Sequence, residues 1–309
     1  MASGQERVLR RRIRSINSTK KITRAMELIA ASRIVRAQAR VHAASPYAEQ
    51  ITQVVRDLAA AGGTSDSPYL VPRPEVRRVA HVVVAADRGL CGGYNSSVIR
   101  AAEGSMREHD AAGRDYALIT VGRKVESYFR YRNFDIAASL SGFSDQPAYE
   151  DARAIAAAVD GPFLAGEFDQ VVLVYTRFVS AGSQEVVLRP LIPLDPETFE
   201  GPASGADGVA PDYEFEPSPS EILDRLLPRY AEARIFAALL NAAASEHAAR
   251  QRAMKSATDN AEDLITNLTR IMNRARQDAI TTEIMEVVGG AEALRQGGSD
   301  ELPDETFAA

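Results

Sequence analysis

Hydrophobic and polar positions divide the chain into three stretches. From Gln5 to Ala61 there is no glycine, and the only proline is Pro46. Apolar residues fall at Leu9, Ile13, Ile16, then Ile22, Met26 and Ile29, with Ala37 and Val41 beyond. Those steps of three and four describe one stripe along a helix. A helix of ~55 residues is roughly 80 Å long, more than a compact domain buries, so it is expected to protrude. The far end repeats the pattern. Glu221 to Val288 holds no glycine and one proline, Pro228. Pro217, Ser218, Pro219 and Ser220 offer a start, and Gly289-Gly290 a stop. Leu264, Leu268, Ile271 and Ala275 step as a heptad. Ala237, Ala238, Ala242, Ala243, Ala244, Ala248 and Ala249 would let another backbone approach closely. A second helix of ~68 residues would reach roughly 100 Å. Two long helices with narrow apolar stripes can bury them on each other, and an intervening domain that returns the chain makes the pair antiparallel. Separate helical hairpins, or coiled coils between chains, are the alternatives.

The middle reads differently. "RRVAHVVVAAD", "YALITVG" and "FDIAASLSG" are strand-like, with helical segments after the first two and "PAYEDARAIAAAV" after the third. "FDQVVLVYTRFVS" and "QEVVLRPLIPL" flank Ala181-Gly182-Ser183 as a hairpin. Strands alternating with helices predict a mainly parallel sheet. The expected fold class is α/β plus a long antiparallel coiled coil: the terminal helices form a shaft and a central Rossmann-like domain forms its foot. The expected boundaries are a helix over 1–62, the α/β domain over 75–200, a linker over 201–217, a helix over 218–290 and an acidic, disordered tail over 291–309.

Composition narrows the function classes. The chain has 309 residues, 45% of them hydrophobic and 25% charged, as in ordinary globular proteins. No run of ~20 apolar residues is present to span a membrane. The basic N-terminus lacks the apolar stretch of a secretory signal. One cysteine excludes an internal disulfide and any CxxC metal site, and four scattered histidines argue against zinc. The net charge of −6 conceals an asymmetry. Residues 1–40 carry eleven Lys or Arg against Glu6 and Glu27, leaving twenty-five basic groups against forty acidic ones elsewhere. A basic helix on an acidic body suggests a partner that is locally acidic, a protein surface or nucleic acid. Residues 1–40 contain no aromatic residue, which weakens the nucleic-acid reading.

The stretch "ADRGLCGGYNSS", Ala86 to Ser97, is the one that imitates an active site. A nucleophile elbow would need a histidine delivered to Cys91 by a returning loop, whereas His81 lies on the preceding strand and His109 on the following helix. Gly89 to Gly93 is not the dinucleotide fingerprint, and no phosphate-loop motif occurs anywhere. The plainer reading is a sharp turn in which Gly92-Gly93 permits close approach and Cys91 packs. A Cys-dependent α/β enzyme and a coiled-coil adaptor remain the competing classes.

Five ordered segments then carry a resemblance: Arg10–Gln38, Ala86–Asn95, Glu216–Tyr230, Ala244–Ile265 and "ITTEIMEVVGG", Ile280–Gly290. Together they resemble the gamma subunit of the rotary F-type ATP synthase, bacterial in type, from end to end except beyond about Arg295. The resemblance implies a rotor shaft, one copy per complex, inside a hexamer of α and β subunits, its foot meeting the epsilon subunit and the membrane c-ring. It implies a peripheral position on the cytoplasmic face of the plasma membrane without insertion into it, and no nucleic-acid partner. It implies no catalytic residue, metal or cofactor on this chain, with ATP, ADP and Mg held by partner subunits. Met26, Arg33 and Arg36 match its coupling methionine and basic positions facing the β subunits. Arg276 and Gln277, with Thr281 and Glu283 nearby, match residues that engage a β loop. Ile284, Met285, Val287 and Val288 match an apolar bearing tip, and Asp87 and Arg88 become candidates for contact with β. Arg24 and Arg33 stand where many members carry lysine, and the acidic tail exceeds the usual end.

Overall fold

The computed structural model describes residues 2–60, 67–194, 216 and 218–297. In chain order the elements are α1 (Ala2–Ala60), β1 (Arg78–Val84), α2 (Tyr94–Ala111), β2 (Asp115–Val121), α3 (Arg123–Tyr131), β3 (Ile136–Leu140), α4 (Tyr149–Ala165), β4 (Gln170–Phe178), β5 (Gln184–Ile192) and α5 (Pro219–Gly297). Two compact units divide the chain: one takes the residues up to Ala25 and from Lys255 onward, the other Met26–Met254. Among the described residues no helix is long and apolar enough to cross a membrane.

The second unit is built on a five-stranded sheet of order β3-β2-β1-β4-β5. The first four strands are parallel, and β5 returns antiparallel to β4. Both sheet faces are covered, which is why the central strands read as unbroken apolar runs. Ala80, Val82, Val84, Ile119, Val121, Leu173 and Tyr175 point to one face. There they meet Ile51, Val55 and Leu58 of α1, Ile155 and Phe163 of α4, and Leu223, Leu227 and Tyr230 of α5. The alternate residues Val79, Val83, Leu118, Val172 and Val174 meet Val98 and Met106 of α2 and Phe129 of α3. This period of two is the strand geometry expressed in side chains.

In the first unit the two helices run antiparallel. Thr23 and Thr258 share a 2.8 Å hydrogen bond between hydroxyls, and Lys20 pairs with Glu262 at 3.2 Å. The seam corrects the stripe expected from sequence. In this unit Thr23 of α1 is buried and Ile22 is 61% exposed; in the second unit Glu27, Ala30, Ile34 and Ala37 of α1 are buried, with Ile51, Val55 and Leu58, and Ile29 is 54% exposed. The series Leu9, Ile13, Ile16 continues through Lys20 and Thr23 in strict steps of four and three, so the seam passes through polar residues and leaves neighbouring isoleucines outside. On α5 likewise, Leu264 and Ile271 are exposed, and the seam runs through Ala261, Ile265, Leu268, Met272 and Ala275.

A second correction concerns the end of α5. Gly289-Gly290 do not stop it; the helix continues to Gly297, into the stretch expected to be disordered. Neither glycine adopts the left-handed conformation of a helix C-cap. A glycine inside an exposed helix costs only about 1 kcal/mol, and the alanines, glutamate and leucine of "AEAL" after them favour helix. The expected linker, apart from Glu216, and the tail from 298 lie outside the described residues.

One buried carboxylate makes the fold's stability depend on pH. Asp160, on α4, is hydrogen-bonded by Tyr69 and lies near Glu232, and its Oδ1 is buried without a partner. Burial and then Glu232 raise its pKa, pushed up to about 6 despite the Tyr69 bond. A folded-state pKa above the ordinary carboxylate value is a penalty carried above pH 6 and relieved as the pH falls through it. Asp160→Asn is therefore expected to raise the melting temperature at pH 8, to gain about 1–2 kcal/mol after allowance for solvent screening, and to flatten the stability profile between about pH 4 and 6. A thermal melt series over that range checks it; an unchanged slope counts against it.

Candidate functional site

The strand order reverses direction between β1 and β4. In doubly wound sheets the carboxyl ends of the strands at such a switch point are where a ligand binds, and "ADRGLCGGYNSS" leaves β1 at that place. Here the crevice is filled by α5. Tyr94 donates its hydroxyl to the Ala242 carbonyl at 3.2 Å, Ser245 Oγ donates to the Thr176 carbonyl at 3.2 Å, and Arg250 donates to the Gly89 carbonyl at 3.2 Å. Asn241 Oδ1 accepts from the Phe178 N–H at 3.2 Å. The alanines account for the close fit: Ala242, Ala243, Ala244 and Ala248 are buried, and Ala249 packs on Cys91 and Tyr94. Gly92 has φ +58, and a Cβ there would already touch Ala253 at 3.7 Å.

Cys91 sits inside this packing. It is 1% exposed, Asn95 Nδ2 donates to its sulfur at 3.2 Å, and burial pushes its thiol pKa up. That lowers the thiolate fraction a nucleophile requires. His81 hydrogen-bonds Ser105 at 3.1 Å beneath α2, and burial followed by the charge of His109 pulls its pKa down to about 4. Among the described residues no group of His, Cys, Asp and Glu is arranged to hold a metal.

Beside the filled crevice the expected partner-contact residues separate into three groups. Asp87 faces inward. Its Oδ1 accepts from the Arg123 N–H at 3.1 Å, and its Oδ2 from Gly142 N–H at 2.9 Å and Ser144 N–H at 3.1 Å. That carboxylate shapes the loop between β3 and α4 through bonds made within the fold. Arg33 is also engaged internally: its Nη1 bonds Asp145 Oδ2 at 2.8 Å, and Arg88, itself exposed, approaches the same oxygen at 3.5 Å. Burial would raise the Asp145 pKa, but Arg33, Arg88 and His247 together hold it below the usual carboxylate range. Arg36 is exposed and lines, with Arg40, Gln146 and His247, a groove of about 410 Å³. Met26 is half-buried on α1.

The third group lies on α5 in the other unit. Arg276, Gln277, Thr281 and Glu283 are exposed. Ile284, Met285, Val287 and Val288 are exposed by 56%, 68%, 68% and 60%. Sequence reading missed Asp145, Glu246, His247 and Arg250. The last three were legible as the polar interruption "SEHAAR" in an alanine-rich helix, since charged groups on a close-packed helix face need partners. Asp145, in "GFSDQP", carried no such mark.

The family enters here. A family model described as ATP synthase matches residues 5–294. An ATP synthase gamma chain from Frankia casuarinae is 53% identical over 299 residues, covering 96% of this chain and 99% of that one. The gamma chain of Kineococcus radiotolerans is 49% identical over 302 residues, with the same coverage. A chain of the Euglena gracilis mitochondrial ATP synthase shares the fold at a TM-score of 0.67 and 17% identity, covering 99% of this chain and 100% of its own. One from the central stalk and c-ring of the Tetrahymena thermophila mitochondrial enzyme does so at 0.58 and 24%, covering 76% and 99%. The chain belongs to the gamma-chain family of the F-type ATP synthase, whose members are the rotor subunit of the central stalk.

Proposed function

We propose that this chain couples proton flow through the membrane sector to nucleotide chemistry on partner subunits, by rotating as a single asymmetric shaft within a threefold α–β hexamer. The carrying observation is the run from Ile280 to Arg295 on α5, in which every residue is exposed, large apolar side chains included. A helix presenting Ile284, Met285, Val287 and Val288 to water is a liability unless a partner sleeve covers it. One chain inside a threefold assembly must contact each β subunit differently, and only differential contacts shift a conformational equilibrium. Met26, Arg36, Arg88, Arg276, Gln277, Thr281 and Glu283 supply those contacts with β; Arg33 contributes through its internal partner. The epsilon subunit and the c-ring meet the sheet-bearing unit. The complex places the chain peripherally on the cytoplasmic face of the plasma membrane. ATP, ADP and Mg belong to the partner subunits, and this chain carries no catalytic residue or cofactor of its own.

Reconstitution with the α and β subunits and the membrane sector tests this reading. Arg276→Ala with Gln277→Ala is expected to leave assembly intact while lowering coupled ATP synthesis about tenfold, within the range of ordinary coupling energies. Unchanged synthesis would remove these two residues from the mechanism. A wild-type chain that never enters a complex with α and β would overturn the function itself.

A further inference from the structure

The loop over 141–148 touches more of its own unit than its length suggests. Asp87 fixes its first half through the N–H groups of Gly142 and Ser144, and Ser144 Oγ accepts the Asp87 N–H at 3.0 Å. Its second half reaches both long helices. Asp145 Oδ2 pairs with Arg33 of α1 at 2.8 Å, and the Pro147 carbonyl accepts from Arg40 of α1. The Asp145 carbonyl faces His247 Nε2 of α5 at 3.2 Å.

Arg33 and Arg40 are two turns apart, about 10 Å along the helix. Apolar packing is non-directional and tolerates small slides and rolls, whereas hydrogen bonds and ion pairs are directional. Two such attachments on one helix face oppose both sliding along the axis and rolling about it, and the His247 contact adds a third on the other helix.

We infer that Asp145 is a positioning residue for rotary coupling: its carboxylate, held out by the Asp87-fixed loop, locks α1 to the sheet domain so that torque passes between them without slip. The inference rests on the rotor reading. It extends that reading to a joint inside the chain rather than a contact with a partner.

The experiment uses the reconstituted complex and measures ATP-driven proton pumping per ATP hydrolysed. Asp145→Ala is expected to assemble and to lower that ratio about threefold, within what residues on a coupling element contribute. In a Cys91→Ser background, Arg33→Cys with Asp145→Cys is expected to show the same deficit. Joining the two thiols with a short bifunctional maleimide is expected to restore the ratio, because a covalent tie replaces the ion pair. A simple loss of folding would not be repaired this way. A wild-type ratio in assembled Asp145→Ala, or a deficit that the cross-link does not repair, overturns the inference. If Asp145→Ala fails to assemble, Asp145→Asn is measured, since it keeps the size of the side chain while removing the charge that pairs with Arg33. Failure of both to assemble would make Asp145 a folding residue and also overturn it. Failure of the wild-type chain to assemble sinks the rotor reading instead.

Discussion

Asp87→Ala is expected to destabilise the protein by about 2 kcal/mol, because one change removes the shared acceptor of three backbone N–H groups. The carboxylate accepts from Arg123, Gly142 and Ser144 backbone N–H groups and is itself 9% exposed. Asp87→Asn keeps one oxygen in place and should cost roughly half as much. Urea unfolding followed by circular dichroism checks both, with the wild-type slope retained if only stability has changed. A shift below about 1 kcal/mol for the alanine variant would mean that the loop over 141–148 is held mainly by its contacts with α1 and α5.

Gly122→Ala should be more severe still. The residue joins β2 to α3 with φ +107 and ψ 140, a region open essentially to glycine alone. A Cβ there would lie 2.2 Å from the Ala85 carbonyl oxygen, which is backbone on the neighbouring strand's exit and cannot rotate away. Conformational strain and clash together are expected to cost about 4 kcal/mol or more, seen as loss of soluble protein or a collapse in melting temperature. Gly113→Ala separates the two causes. It also has positive φ, +72, but meets nothing within 4 Å, so it should cost only about 1–2 kcal/mol of strain. Equal effects at the two positions would refute the steric argument.

The sheet was legible because its central strands are apolar on both faces, and because each helix between them carries its own 3.6-residue pattern. β4 and β5 announced their antiparallel pairing through a short Gly-containing connection. The seam between the long helices was legible in existence but not in position. Ile22 and Ile29 attract the eye, yet the strict alternation of four and three passes through Lys20, Thr23 and Glu27. Tertiary pairing there tolerates polar residues because their partners are at hand, as Thr258 is for Thr23. The end of α5 was misplaced because paired glycines are a strong stop signal only when a left-handed cap follows.

The site was less legible than the fold. Arg33 looked like a charge for a partner, and its nearest acid, Asp145, is 112 residues away in sequence. Asp87 likewise meets Gly142 and Ser144 over a separation no periodicity reveals. What the sequence did carry was the small-residue stretch on α5, read as permission for close helix contact. Its stronger use is to seat α5 in the crevice at the end of β1 and β4.

That seating has a consequence for biosynthesis. The sheet is complete in chain order once β5 has been made, yet the crevice at the strand ends stays open until Ala242–Ala253 follows. α1 meanwhile waits with its seam uncovered, since its partner α5 follows the whole sheet in chain order. Contacts of such long sequence separation form slowly, and exposed apolar surface in the interval invites association with other chains. The nascent subunit therefore passes through a stage in which an open crevice at the strand ends and a bare helical seam are both on view. Translation that stops short of Ala242 would leave it there.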